Sequence, residues 1–169
     1  MGIFSSITFN SLEELFEYEL KDLYDAEHRL VETLPKLAEK SSSAALKMAF
    51  QKHLQETEKH VERLESIFDH IGIEPDREKC DAMVGLIKEG QQVLDAEGDM
   101  NVLDAALIAA AQRAEHYEMA AYGSARAFAR QLGNEYAAEL LEQTLDEEKR
   151  ADQKLTEIAE SSVNPASTR

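Results

Sequence analysis

Apolar residues recur at steps of three and four along most of the chain. One stripe runs through Leu20, Leu23, Leu30, Leu34 and Leu37. A second runs through Phe50, Leu54, Thr57, Val61, Leu64, Phe68 and Ile71. A third, inside the apolar run from Val102 to Ala129, holds Ile108, Ala111, Tyr122, Ala125 and Ala129. A fourth holds Leu141, Leu145, Leu155 and Ala159. This spacing repeats once per helical turn, so each stripe predicts an amphipathic helix. The end signals agree. Ser11 and Glu14 form a capping box for a first helix reaching about Lys40. Ser41, Ser42 and Ser43 make a turn into a second helix, from about Ala44 to Ile71. Gly72 and Pro75 close it. Asp99 or Asn101 caps a third helix reaching about Gln131, and Gly133 and Asn134 turn into a fourth, from about Glu135 to Ser161. Pro35 either kinks the first helix or marks its last turns. Between the hairpins, about Asp76 to Glu97 reads as a weaker helix with Gly85 and Gly90 inside it, a crossover held by packing. The tail from Asn164 to Arg169 reads as disordered.

Four long helices in two hairpins, joined by a crossover, predict an all-α four-helix bundle, one domain over residues 1–169. An internal repeat supports the pairing. Ala26-Glu27-His28 returns as Ala114-Glu115-His116 at an offset of 88, and Leu54, Glu56, Leu64 and Ile67 return as Leu145, Glu147, Leu155 and Ile158 at an offset of 91.

Acids interrupt these stripes. Glu27 falls on the first, Glu115 and Glu118 on the third, and Glu148 and Asp152 on the fourth. A buried carboxylate is costly unless it is paired or binds a metal. Carboxylate-bridged dinuclear sites in bundles take one glutamate from each of two helices and a Glu-x-x-His pair from each of the others. Glu27 and Glu115 match the first kind. The second helices offer Glu56 with His60 and Glu148 with Asp152, each pair four apart, and Glu118 is an extra donor. Lys59 and Ala151 stand where the pattern has histidine. The repeat pairs Glu56 with Glu147, whereas the stripe favours Glu148, so the two signals disagree about which acid turns inward. The expected metal set is therefore Glu27, Glu56, His60, Glu115, Glu118, Glu148 and Asp152. Its oxygen and imidazole donors suit two ions of iron, with manganese or another divalent metal as the alternative. Core salt bridges from Glu27 and Glu115 to Arg29, Arg113 or a lysine are the competing reading, and Lys59, if turned inward, would neutralise an acid in place of one metal. His28 and His116 are expected to face outward, Tyr24 and Tyr122 to approach the site, and His53 has no evident partner.

The composition narrows the partners. A net charge of −16 repels nucleic acid and anionic membranes and attracts cations. No charge-free apolar run approaches the roughly 20 residues of a membrane span. The lone Cys80 cannot form an intrachain disulfide, which points to a reducing, cytoplasmic compartment. Met1 to Ser6 lack the features of a signal peptide, and their match to a myristoylation pattern is read as chance. The alanine-rich third helix suits a close-packed homodimer.

The runs Leu23-Tyr24-Asp25-Ala26-Glu27, His53-Leu54-Gln55-Glu56-Thr57, Glu115-His116-Tyr117-Glu118 and Glu147-Glu148-Lys149 resemble the YciE/YciF family of ferritin-like proteins. So does Asp104-Ala105-Ala106-Leu107-Ile108-Ala109-Ala110-Ala111-Gln112. The resemblance extends from about Phe9 to Val163. It implies a ferritin-like bundle, a dimer, a dinuclear site like that of rubrerythrins and a part in bacterial stress responses. Chemistry with dioxygen or peroxide is the matching expectation. The Glu115 and Glu118 pair looks like the two-glutamate helix of rubrerythrin-type sites, and no rubredoxin-like cysteine segment is present.

Overall fold

The structure is a computed structural model that describes residues 7–168. The readings made of Met1 to Ser6 and of Arg169 lie outside the described residues. Helices α1 (Leu12–Lys40) and α2 (Ala44–Ile71) form the first hairpin, and α4 (Met100–Gln131) and α5 (Glu135–Ile158) the second. The crossover helix α3 (Asp81–Leu94) packs on α1 and α4. Around the bundle, α1 neighbours α2 and α4, and α5 neighbours α2 and α4. The start of α4 lies beside the α1–α2 turn, so the crossover returns the chain along the length of the bundle. The fold is the expected all-α, ferritin-like bundle with an added crossover helix.

The helix ends follow the sequence signals. Ser11 accepts from the Glu14 N–H, Ser43 from Leu46 and Asp99 from Asn101 and Val102. Gly72 ends α2 in the left-handed region at φ 74°, a conformation costly for a residue with a Cβ. Helix α1 continues through Pro35 to Lys40, so the proline stands in its last turns. The crossover is shorter than the expected span. The approach to it is extended, and Cys80 caps it. The tail differs from expectation. A π-helical turn, Ala159–Val163, buries Val163 in the core, and a short helix α6 (Asn164–Ser167) follows. Pro165 sits in the first turn of α6, where its missing N–H costs nothing.

The core is split in two. One apolar cluster, built on Leu30, Leu34, Leu46, Phe50, Leu107, Ile108 and Leu155, fills the end near the α1–α2 turn. Another, built on Phe16, Leu20, Leu64, Phe68, Ala125 and Leu141, fills the other end. Their sequence positions leave a polar waist between them.

Two buried aspartates tie the loops to the helices. Asp104 on α4 accepts from the Ser42 N–H at 2.9 Å, the Ser42 hydroxyl at 2.7 Å and the Ser43 N–H at 2.7 Å. Asp25 on α1 accepts from Arg29, Arg77 and the Cys80 N–H, the last at 2.9 Å, and so anchors the start of the crossover. These partners hold its carboxyl below the usual range against the upward push of burial. Asp104→Ala leaves three donors without their acceptor. It should cost roughly 2–4 kcal/mol, or about 5–10 °C in Tm, by thermal unfolding. A change below 1 °C would show that water replaces the carboxylate.

Candidate metal centre

The waist is built from helix faces in strict three-four register. On α4, Asp104, Ile108, Ala111, Glu115, Glu118, Tyr122, Ala125 and Ala129 all point inward and are buried. On α2 the buried series is Leu46, Phe50, His53, Thr57, His60, Leu64 and Ile67. It runs in steps of four and three and is rotated from the stripe expected from Leu54 and Val61, which are only half-buried. The rotation brings His53 and His60 into the core. From α1 comes Glu27 and from α5 comes Glu148, both fully buried.

These side chains converge in two groups that share one glutamate. His53, Glu115, Glu118 and Glu148 form one group and Glu27, His60 and Glu148 the other, each with its donor atoms within 4.8 Å of one another. Nδ1 of His60 lies 2.9 Å from Glu148 Oε1 and 3.3 Å from Glu27 Oε1. Nε2 of His53 lies 3.2 Å from Glu115 Oε1 and 3.6 Å from Glu148 Oε2. The Tyr122 hydroxyl donates to Glu27. Many of the other donors have no hydrogen-bond partner. They include both oxygens of Glu118 and one each of Glu27 and Glu115, while the Glu148 oxygens and the His53 ring nitrogens have ion-pair contacts but no well-directed hydrogen bond. Such groups are rare in a folded interior and call for an explanation. The first hairpin supplies both histidines and Glu27, while the second supplies Glu115, Glu118 and Glu148.

The other expected residues fall around this group. Glu147 points sideways, to Arg63 and to the Nε2 of His60 at 3.0 Å, so Glu148 is the inward acid. Burial would raise Glu147, but His60 and Arg63 outweigh it and hold its carboxyl low. Glu56 is half-buried and outside both groups. The His53 ring and Lys52 hold it down to about 2 despite burial. Asp152 is also outside both, accepting from Gln112 at 2.9 Å and lying 3.3 Å from the exposed His116. Arg29 pairs with Asp25 rather than Glu27, and Arg113 is exposed, so neither makes the competing salt bridge. Lys59 is exposed as well. Tyr24 bonds to Glu65, while Tyr122 reaches the centre. His53 is the residue the sequence reading missed. Its signal was its register with Phe50, Thr57 and His60.

Burial and crowding govern the charges. Burial first, then Glu148, Glu27 and Glu115, push the Glu118 carboxyl well up. Burial raises Glu148 to about 7 against the pull of His53. Burial alone would lower the two histidines. Glu115 and Glu148 outweigh it at His53, and Glu27, Glu147 and Glu148 at His60, which rises to about 12. A divalent pair fits this donor set. The −4 formal charge of Glu27, Glu115, Glu118 and Glu148 would balance two ions, and the unpartnered oxygens would gain partners.

Comparison with known proteins agrees with this architecture. Residues 11–168 match the family described as "Domain of unknown function (DUF892)". The chain is 43% identical to Protein YciF of Escherichia coli (strain K12) over 159 residues, 94% of this chain and 96% of that protein. It superposes on the crystal structure of the E. coli stress protein YciF with a TM-score of 0.89 at 44% identity, covering 92% of this chain and 99% of that one. YcfI, a putative structural protein from Rhodopseudomonas palustris, matches with a TM-score of 0.86 at 39% identity, over 90% and 98% of the two chains.

The shifts fix how the metal-free fold responds to pH. Glu118 and Glu148 are raised from the ordinary 4.5, so their stabilisation is complete below that value and declines as pH climbs. His53 and His60 are raised from 6.5, so theirs is complete below 6.5 and declines above it. Glu56 and Glu147 are lowered, so theirs is complete above 4.5. Metal-free protein in a chelator should therefore be most stable at about pH 5 and should lose Tm towards pH 8. Glu118→Met should raise stability at pH 8 by roughly 1–3 kcal/mol, read as a higher Tm, since it removes a buried group with no partner. A fall in Tm would mean that Glu118 is already satisfied.

Proposed function

The chain belongs to the DUF892 family, and from that premise we propose that its waist binds two divalent metal ions, iron first and manganese as the alternative. The observation carrying this is Glu118, a fully buried carboxylate with neither oxygen partnered, set among three other buried glutamates. Glu148, common to both donor groups, would serve both ions. His53, Glu115 and Glu118 complete one ion's set, and Glu27 and His60 the other's. Tyr122 steadies Glu27 from outside. Glu56 orients His53, and Asp152 lies beyond the ligands. Iron held this way supplies one-electron chemistry towards dioxygen or peroxide, and ferrous oxidation or peroxide removal is the activity proposed. The E. coli relative is a stress protein, and a protective role under stress extends that description to this chain. A cytoplasmic homodimer is the proposed setting. Among the described residues no helix is long and apolar enough to cross a membrane.

A second reading has an observation of its own. His60 already lies within 3.3 Å of Glu27 and Glu148, so one half of the waist can close as ion pairs without metal. A purely structural bundle, as the Rhodopseudomonas relative is described, follows from that.

Elemental analysis separates the two. Protein from iron-rich medium should carry up to two ions per chain, and Glu115→Ala should lose at least one. Metal-free protein unaltered by that substitution would leave only the structural reading. Because each histidine must shed its proton to bind, uptake should also release protons, so affinity should rise from pH 6 to pH 8. Calorimetry in buffers of different ionisation enthalpy reads that release.

A further inference from the structure

Between α2 and α5 a pocket of about 50 Å³ leads from the surface to the waist, with His53 and Glu115 at its inner end. Ala151 lines it, three residues beyond Glu148, at the position where the dinuclear bundle pattern has a histidine. A methyl group there leaves space that an imidazole would fill. The volume corresponds to about three water positions, enough for a molecule of two or three heavy atoms.

The charges at the mouth run against the rest of the chain. Lys52, Arg150 and Lys154 all line the pocket, in a protein of net charge −16. Glu56 lines it too, 2.9 Å from Lys52. Lys154 leans on Glu157 at 3.2 Å. Arg150 Nε donates to the Asp146 carbonyl at 2.9 Å, and among the described residues no carboxylate pairs with its guanidinium. Glu56 thus offsets Lys52 and Glu157 offsets Lys154, which leaves the Arg150 guanidinium as the cation of the mouth with no carboxylate on it among the described residues, a point that attracts an anion where most of the surface repels one.

We propose that this pocket is a binding and entry site for a small inorganic monoanion, with Arg150 as its selectivity residue. The anion passes Ala151 and comes to rest against the His53 and Glu115 side of the waist. The proposal rests on the metal-centre reading for what the anion meets there, and on the pocket alone for its binding.

Azide is the probe. Added to cobalt(II)-loaded protein, it should change the visible absorption of the bound cobalt. Arg150→Glu should weaken that response about tenfold with cobalt content unchanged. Lys88→Glu, the same charge change on the exposed face of α3, should leave it as it was. Ala151→Leu should block it. Equal weakening by the two charge reversals, or no azide response in cobalt-loaded protein, would overturn the anion site and leave the metal centre standing. If the protein takes up no cobalt, the metal-centre reading fails, and the infrared stretch of azide on the metal-free protein then decides the rest. A shifted band lost in Arg150→Glu supports the anion site, and an unshifted band overturns it.

Discussion

Four glutamates crowd the middle of this bundle, and the low-dielectric interior makes each one's charge a problem for the others. Glu27, Glu115, Glu118 and Glu148 are buried together, with His53, His60 and the Tyr122 hydroxyl among them. An interior built for stability alone would hold apolar residues at these places, as it does above and below. The two apolar clusters are what make the arrangement tolerable. They lie at opposite ends of the bundle, so the ends carry the packing and the waist carries the chemistry.

Much of this was legible in the chain. The three-four stripes, the caps and the repeated hairpin pointed to the bundle because helix periodicity is a local property. The inward acids were legible for the same reason, since Glu27, Glu115, Glu118 and Glu148 each break an apolar stripe. The α2 face was harder. Leu54 and Val61 look like core by residue type, while His53 and His60 are core by register. A small rotation of the helix separates the two readings, and packing against α1 and α5 decides between them. Glu56 and Asp152 were drawn towards the site by chemical type. The first is held by Lys52 and His53, and the second by Gln112. The loop contacts of Asp25 and Asp104 left no signal, because Cys80 and Ser42 lie 55 and 62 residues from them.

The repeat shifts from an offset of 88 to one of 91 between its two helices, and its content is inexact. At the offset of 91 that pairs Glu56 with Glu147, Glu148 is matched by Thr57, which is buried and donates to the His53 carbonyl. The first hairpin thus lacks a carboxylate where the second has one. Histidines one turn to either side, His53 and His60, fill the place with nitrogen donors. The two halves of the waist are chemically unlike for this reason.

The same division of labour has a consequence for how the chain reaches its native state. Helices α4 and α5 alone would set Glu115, Glu118 and Glu148 against one another with no basic group of the waist to relieve them. Helices α1 and α2 alone would bury two imidazoles against a single acid. Neither hairpin is a comfortable folding intermediate, although each closes through a short loop. Docking of one upon the other is the step that brings His53 to Glu115 and His60 to Glu148, so these ion pairs exist only in the assembled bundle.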